Sequence, residues 1–98
     1  MGFVVYILRS VRDGSLYVGH TNNLDRRLLL HNNPRGKSYT AKRGPWVVAY
    51  SEPHSDRSSA ALRERFLKSV GGSREKKRLA AIPRLWKIGT SDLPAGPL

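Results

Sequence analysis

The stretch VVYILRSVRDGSLYVGH, residues 4–20, decides the fold. Val4-Val5-Tyr6-Ile7-Leu8 is β-branched, aliphatic and aromatic, and Leu16-Tyr17-Val18 repeats that chemistry. Such side chains suit a pleated, half-buried surface. Asp13-Gly14 stands between them, a pair that favours positive φ and a tight reversal. The expectation is an antiparallel hairpin, strand Phe3 to Arg9 against strand Leu16 to His20. A two-residue turn would set Ser10 opposite Tyr17 and Tyr6 opposite Thr21; a longer loop would change the pairing. In the tight register the alternation of side chains puts Tyr6 and Tyr17 on one face.

Downstream, Asn22 or Asn23 supplies a cap for a helix from Leu24 to His31. Leu24, Leu28 and His31 form its apolar stripe, with Arg27 and His31 neighbours at i, i+4. Asn32-Asn33-Pro34 stops it, since Pro cannot continue a helix. Residues 33–44 form a polar loop with Arg35, Lys37, Lys42 and Arg43, Tyr39 among them, and no acid. Trp46 to Tyr50 reads as a third strand. A second helix starts after Ser55 and runs to about Val70, with Leu62, Phe66, Leu67 and Val70 as its stripe and Gly71-Gly72 as its end. Ser73 caps a short third helix carrying Arg74, Lys76, Lys77 and Arg78. The order β-β-α-β-α-α predicts an α+β domain over residues 1–82, a small three-stranded antiparallel sheet flanked by helices. Residues 83–98, with three Pro and two Gly, read as a loosely held tail whose beginning Trp86 pins.

The chain has 98 residues, enough for one modest core. It lacks cysteine, which removes disulfides and thiolate metal sites and fits a reducing compartment. No apolar run approaches the length of a membrane span, and Arg9 breaks the apolar start. The expectation is a cytoplasmic protein. Eighteen Lys and Arg against seven Asp and Glu give a net charge of +11. That self-repulsion does nothing for a small fold, and its usual reason is a polyanionic partner. Nucleic acid comes first, and DNA binding would associate the protein with the nucleoid. An anionic membrane surface, or solubility alone, is the alternative. The cations are spread over several segments, which suits a groove better than a membrane-binding amphipathic helix. Oligomeric state is not legible.

Several motifs in order resemble the GIY-YIG endonuclease superfamily, in particular its small single-domain bacterial members. They are Val4-Val5-Tyr6, Tyr17-Val18-Gly19, Thr21-Asn22-Asn23-Leu24 leading to Arg26-Arg27, His31-Asn32, and Ala60-Ala61-Leu62-Arg63-Glu64 with Lys68. The match covers roughly residues 3 to 80. The first triplet lacks the glycine and isoleucine of the family pattern but keeps its tyrosine.

The resemblance implies a DNA endonuclease using a divalent metal, Mg²⁺ or Mn²⁺, with single-stranded or structured DNA in repair, recombination or processing as its substrate. Tyr17 would help deprotonate the attacking water. A free phenol, with a pKa of about 10, is a poor base, but nearby cations favour phenolate. Arg27 would hold the scissile phosphate through parallel charged hydrogen bonds, and Arg26 beside it reads as solvated. Tyr6, His31 and His20 complete the catalytic set, Tyr6 and His31 as phosphate or water partners and His20 as an aid to nucleophile or leaving group. Glu64 would carry the metal, since Mg²⁺ often takes one carboxylate plus substrate phosphates. Its bland alternative is an i, i+4 pair with Lys68. Arg35, Lys37, Tyr39, Lys42 and Arg43 would grip the nucleic-acid backbone, with Tyr39 stacking on an unpaired base. Arg74 to Arg78 extend the positive track or are ordinary helix surface. Glu52 and Glu75 read as structural or solvated, and His54, in a Ser/Pro loop, is assigned nothing. Two rivals share the fold: a catalytically inactive nucleic-acid-binding module, and an RNA-directed nuclease.

Overall fold

The computed structural model describes residues 2–33, 35–36 and 39–82. Three strands, β1 (Phe3–Ser10), β2 (Leu16–Thr21) and β3 (Trp46–His54), form one sheet in the order β2-β1-β3, both pairs antiparallel. Helix α1 (Leu24–His31) covers one face. Helices α2 (Arg57–Lys68) and α3 (Ser73–Ala80) cover the other, and a 3-10 turn (Tyr39–Lys42) precedes β3. The expected α+β order stands. The tail from 83 to 98, including Trp86, lies outside the described residues.

The two faces have separate cores. Val5, Ile7 and Val18 pack with Ala49 against Ala60 and Leu67 of α2 and Leu79 and Ala80 of α3. Tyr6, Leu8 and Trp46 pack on the other face, joined by Tyr17, Leu24, Leu28 and Val48. Each buried aliphatic side chain contributes about 1.5–3 kcal/mol. The central strand, buried on both faces from Val5 to Leu8, serves both cores.

The hairpin register differs from the tight-turn expectation. Tyr6 pairs with Gly19 and Leu8 with Tyr17. The loop is longer because Ser10 organises it. Ser10 Oγ accepts from the amides of Arg12 and Asp13, at 3.1 and 3.3 Å, and Ser15 N–H donates to Asp13 Oδ1 at 2.9 Å. Gly14 takes the positive φ, 78°. The shift is by an even number of residues, so Tyr6 and Tyr17 still share a face.

Strand β3 runs past the expected Tyr50 to His54. It is an edge strand, where Pro53 is tolerated. A bulge between Ile7 and Leu8 lets Tyr50 pair with Ile7 but Val48 with Leu8. Trp46 and Val48 therefore face α1, whereas Tyr50, Glu52 and His54 face α2, an inversion that one extra residue, Ala49, produces. Glu52 accepts from Tyr50 (2.8 Å), His54 (2.7 Å) and Arg63 of α2 (2.9 Å). His54, expected in a loop, is thus a strand residue with a structural partner.

Helix α1 has the expected bounds, capped by the Asn23 side chain on Arg26 N–H. Its far end is latched: Asn32 accepts from Trp46 N–H at 2.6 Å and donates to Trp46 O at 3.1 Å, as a neighbouring strand would. Helix α2 begins at Arg57, with Asp56 as cap, and ends at Lys68 rather than Val70. Its expected stripe is corrected. Only Leu67 of the four is buried; Leu62 and Phe66 are exposed and Val70 is 95% exposed. The helix enters the core through Ala60 and Leu67, beside Leu79 and Ala80 of α3. Ser73 is the first residue of α3, not its cap; that place is taken by Gly72, where a Cβ would lie 1.9 Å from Phe66 O.

Candidate functional site

Tyr6, Tyr17 and His31 meet on the α1 face. Tyr6 Oη is 2.8 Å from His31 Nε2, and His31 Nδ1 is 2.8 Å from Thr40 Oγ1. The Tyr17 and His31 ring centroids are 4.9 Å apart, edge to face, and Trp46 flanks Tyr17 at 6.3 Å. Tyr6 lies across Gly19 so closely that a Cβ there would be 2.5 Å from Oη. The glycine of Tyr17-Val18-Gly19 is therefore space for the other tyrosine.

Burial pushes the Tyr6 phenol above its ordinary range, and Tyr17 and Glu64 add to this; only Arg27, beside the hydroxyl, pulls the other way. Burial also lowers His31, helped by the charge on Arg27. The pair is a neutral phenol against a neutral imidazole. In the Nδ1–H tautomer the phenol donates to Nε2 and the Nδ1–H donates to Thr40 Oγ1. Tyr6 and His31 are both buried and meet each other and Thr40 rather than solvent. Tyr17, half-buried, opens toward water. Thr40 and Trp46 were missed in the sequence, Trp46 anchoring the turn by donating from Nε1 to Thr40 O at 2.8 Å. Their only signal was a polar and an aromatic residue near Pro45.

Strand alternation sends His20 to the opposite face from Tyr17, opposite Val5. There its Nδ1 bonds Glu64 Oε1. Lys68 Nζ bonds Glu64 Oε2 at 2.6 Å and stands 5.5 Å from the Tyr17 ring centroid. Strand β2 is an edge, so Lys68 reaches round it and joins the two faces. Glu64 and Tyr17 are linked through one ammonium rather than separated by the sheet. Burial raises the Glu64 carboxyl, but the hydrogen bonds and charges of Lys68 and His20 outweigh it and hold the group below the ordinary carboxylate range.

Two open cavities flank this edge. One, about 400 Å³, is lined by Thr21, Asn22, Asn23, Arg26, Arg27 and Leu30. The other, about 530 Å³, is lined by His20, Ala61, Glu64, Arg65, Lys68 and Ser69. They adjoin at consecutive residues, His20 and Thr21. Arg26, read as merely solvated, shares the first cavity with Arg27. Glu64 fits a hard cation: it is ionised, partly open and offers one carboxylate, the donor set of an ion that keeps waters and takes phosphate oxygens. Among the described residues no cluster of three His, Cys, Asp or Glu side chains could hold a metal by itself.

The end of the basic segment lies by the hairpin tip: Ser10 Oγ donates to Arg43 O at 2.7 Å, and Arg43 pairs with Asp13 at 3.4 Å. Arg35 and Lys42 are exposed. Lys37 and the Tyr39 side chain lie outside the described residues. Lys76 and Lys77, with Arg9, line a separate concavity of about 420 Å³ on the α3 side. Among the described residues no helix is long and apolar enough to cross a membrane.

The GIY-YIG catalytic domain profile matches residues 2–78. A UPF0213 protein of Oceanobacillus iheyensis is 46% identical over 84 residues, 86% of this chain and 83% of its own. One from Clostridium perfringens is 44% identical over 66 residues, 67% of this chain and 70% of its own. The solution NMR structure of a UPF0213 protein from Bacillus halodurans superposes with a TM-score of 0.53 at 27% identity, covering 93% of this chain and 96% of that one.

Proposed function

Because the chain belongs to the GIY-YIG catalytic-domain family, we propose that it is a metal-dependent endonuclease hydrolysing DNA phosphodiester bonds. One observation carries this reading: at the β2 edge Lys68 Nζ stands 2.6 Å from Glu64 Oε2 and 5.5 Å from the Tyr17 ring centroid, and Arg27 lines the cavity that adjoins there at Thr21. A phenol, a guanidinium and a carboxylate around an open edge are the parts that phosphodiester hydrolysis needs.

Arg27 donates to the scissile phosphate and gains value as charge builds on it. Tyr17, open to water, takes the proton of the nucleophile, helped by the ammonium of Lys68. Tyr6 and His31 act through Arg27: a protonated, buried phenol fixed by a neutral imidazole holds the guanidinium in place. Glu64 and the adjoining cavity would hold the divalent cation, which supplies Lewis-acid stabilisation of the phosphate oxygens. His20 orients the Glu64 carboxylate. Arg26, Arg35, Lys42 and Arg43, with Lys37 and Tyr39, supply backbone affinity. The net charge of +11 supports a nucleic-acid substrate.

The test is a cleavage screen over single-stranded, branched and duplex DNA and matched RNA, with Mg²⁺, Mn²⁺ or chelator. Metal-dependent DNA cutting that disappears in Tyr17→Phe, Arg27→Ala and Glu64→Gln is expected. Salt-sensitive binding without cutting of any substrate would refute the enzyme in favour of a binding module. Cutting confined to RNA would refute the DNA assignment alone.

A further inference from the structure

In this structure the metal-binding candidate already carries a cation of its own. Both Glu64 oxygens are engaged, Oε1 by His20 and Oε2 by Lys68 at 2.6 Å. A dication bound to that carboxylate through its first shell of waters would stand in the space that the ammonium fills. Two such cations in contact on one carboxylate repel strongly. Lys68 is not trapped: its side chain is 48% exposed, against 19% for Glu64. Its Nζ already stands over the electron-rich face of Tyr17, 5.5 Å from the centroid, a contact that remains within reach when the ammonium leaves Glu64. A phosphate docked across the β2 edge between the two cavities would draw the same ammonium away from Glu64.

We propose that Lys68 is a positioning residue that occupies the Glu64 carboxylate in the free protein and is displaced when a divalent cation arrives together with a substrate phosphate. The inference rests on Glu64 being the metal carboxylate. Its consequence is coupling: the free protein binds metal weakly, and nucleic acid tightens the metal because each removes Lys68 for the other. Such coupling is reciprocal, so metal tightens nucleic acid by the same factor. A helix-surface ion pair that only supports α2 would generate none of this.

The experiment measures Mn²⁺ binding by the spin-resonance signal of the free aquo ion, with wild type, Lys68→Met, Lys68→Arg and Glu64→Gln. Each is measured alone and with an oligonucleotide whose phosphorothioate linkages resist cutting. Circular dichroism checks that each is folded. Lys68→Met alone should bind Mn²⁺ about tenfold more tightly than wild type, with Lys68→Arg close to wild type. The oligonucleotide should tighten Mn²⁺ about tenfold or more in wild type and no more than about twofold in Lys68→Met. Equal Mn²⁺ affinity in wild type and Lys68→Met, or equal tightening by the oligonucleotide in both, overturns the proposal while leaving Glu64 as the metal carboxylate. Unchanged Mn²⁺ binding in Glu64→Gln overturns both.

Discussion

Replacing Gly19 by alanine tests the packing on which the site stands. The new methyl would lie 2.5 Å from Tyr6 Oη and 2.7 Å from Cζ. Ordinary carbon contacts are about 3.5–4.0 Å, so the ring must retreat by roughly 1 Å. It has nowhere easy to go: Tyr6 is 1% exposed and tied to His31 at 2.8 Å. Overpacking costs about 1–3 kcal/mol. Breaking the Tyr6–His31 bond leaves buried polar atoms unmet, about 1–3 kcal/mol more. Alanine in place of glycine within a strand returns about 0.5–1 kcal/mol. The net expectation is a destabilisation of about 1–5 kcal/mol, read as a lowered midpoint in urea unfolding with an unchanged slope. The clash should vanish when the ring is removed, so the double variant Gly19→Ala with Tyr6→Leu should be far less destabilised than the sum of the singles. A Gly19→Ala protein within about 0.5 kcal/mol of wild type, or an additive double variant, would refute the reasoning.

Other outcomes follow from the same geometry. Arg27→Lys should keep nucleic-acid binding within a few-fold yet lower the single-turnover cleavage rate about a hundredfold or more, because an ammonium cannot make the paired donation; equal rates would sink the assignment. His31 has a lowered folded pKa, so the unfolded chain binds more protons below the unfolded value, 6.5. Its stabilising share is complete above that pH and disappears as pH falls through the folded pKa. The stability–pH curve between about pH 5 and 7 should therefore be flatter in His31→Gln than in wild type, and parallel curves would contradict it. Arg63→Met should cost about 1–3 kcal/mol by stripping Glu52 of two donors, measured by urea unfolding. The Glu52 carboxyl should then titrate higher by NMR, and an unmoved titration would mean that Arg63 does not hold it.

The fold was legible where a short-range cause sets it. Asn23 and Asn32-Asn33-Pro34 bracket α1, and the structure agrees with both bounds. The hairpin was legible in its shared face but not in its register, because the loop length depends on Ser10 bonding two amides ahead of it. The far half of β3 was hidden by Pro53, which argues against a strand everywhere except at an edge. The α2 stripe was misread because the larger apolar residues, Leu62, Phe66 and Val70, face out while small Ala60 faces in. For the candidate site, motif order singled out Tyr6, Tyr17, Arg27, His31 and Glu64. It could not show Thr40 and Trp46, whose parts come from contacts between distant segments, nor that His20 and Tyr17 lie on different faces.

The supernumerary Ala49 sorts charge. Deleting it would rotate the end of β3 by one residue, turning Glu52 and the imidazole beside it from the α2 side to the side where Arg27 and the phenols lie. Glu52 would then share a face with the groups proposed to receive a phosphate, where its charge would oppose that phosphate. A single small residue in the middle of a strand thus keeps the acid that braces the scaffold away from the surface proposed to receive the polyanion.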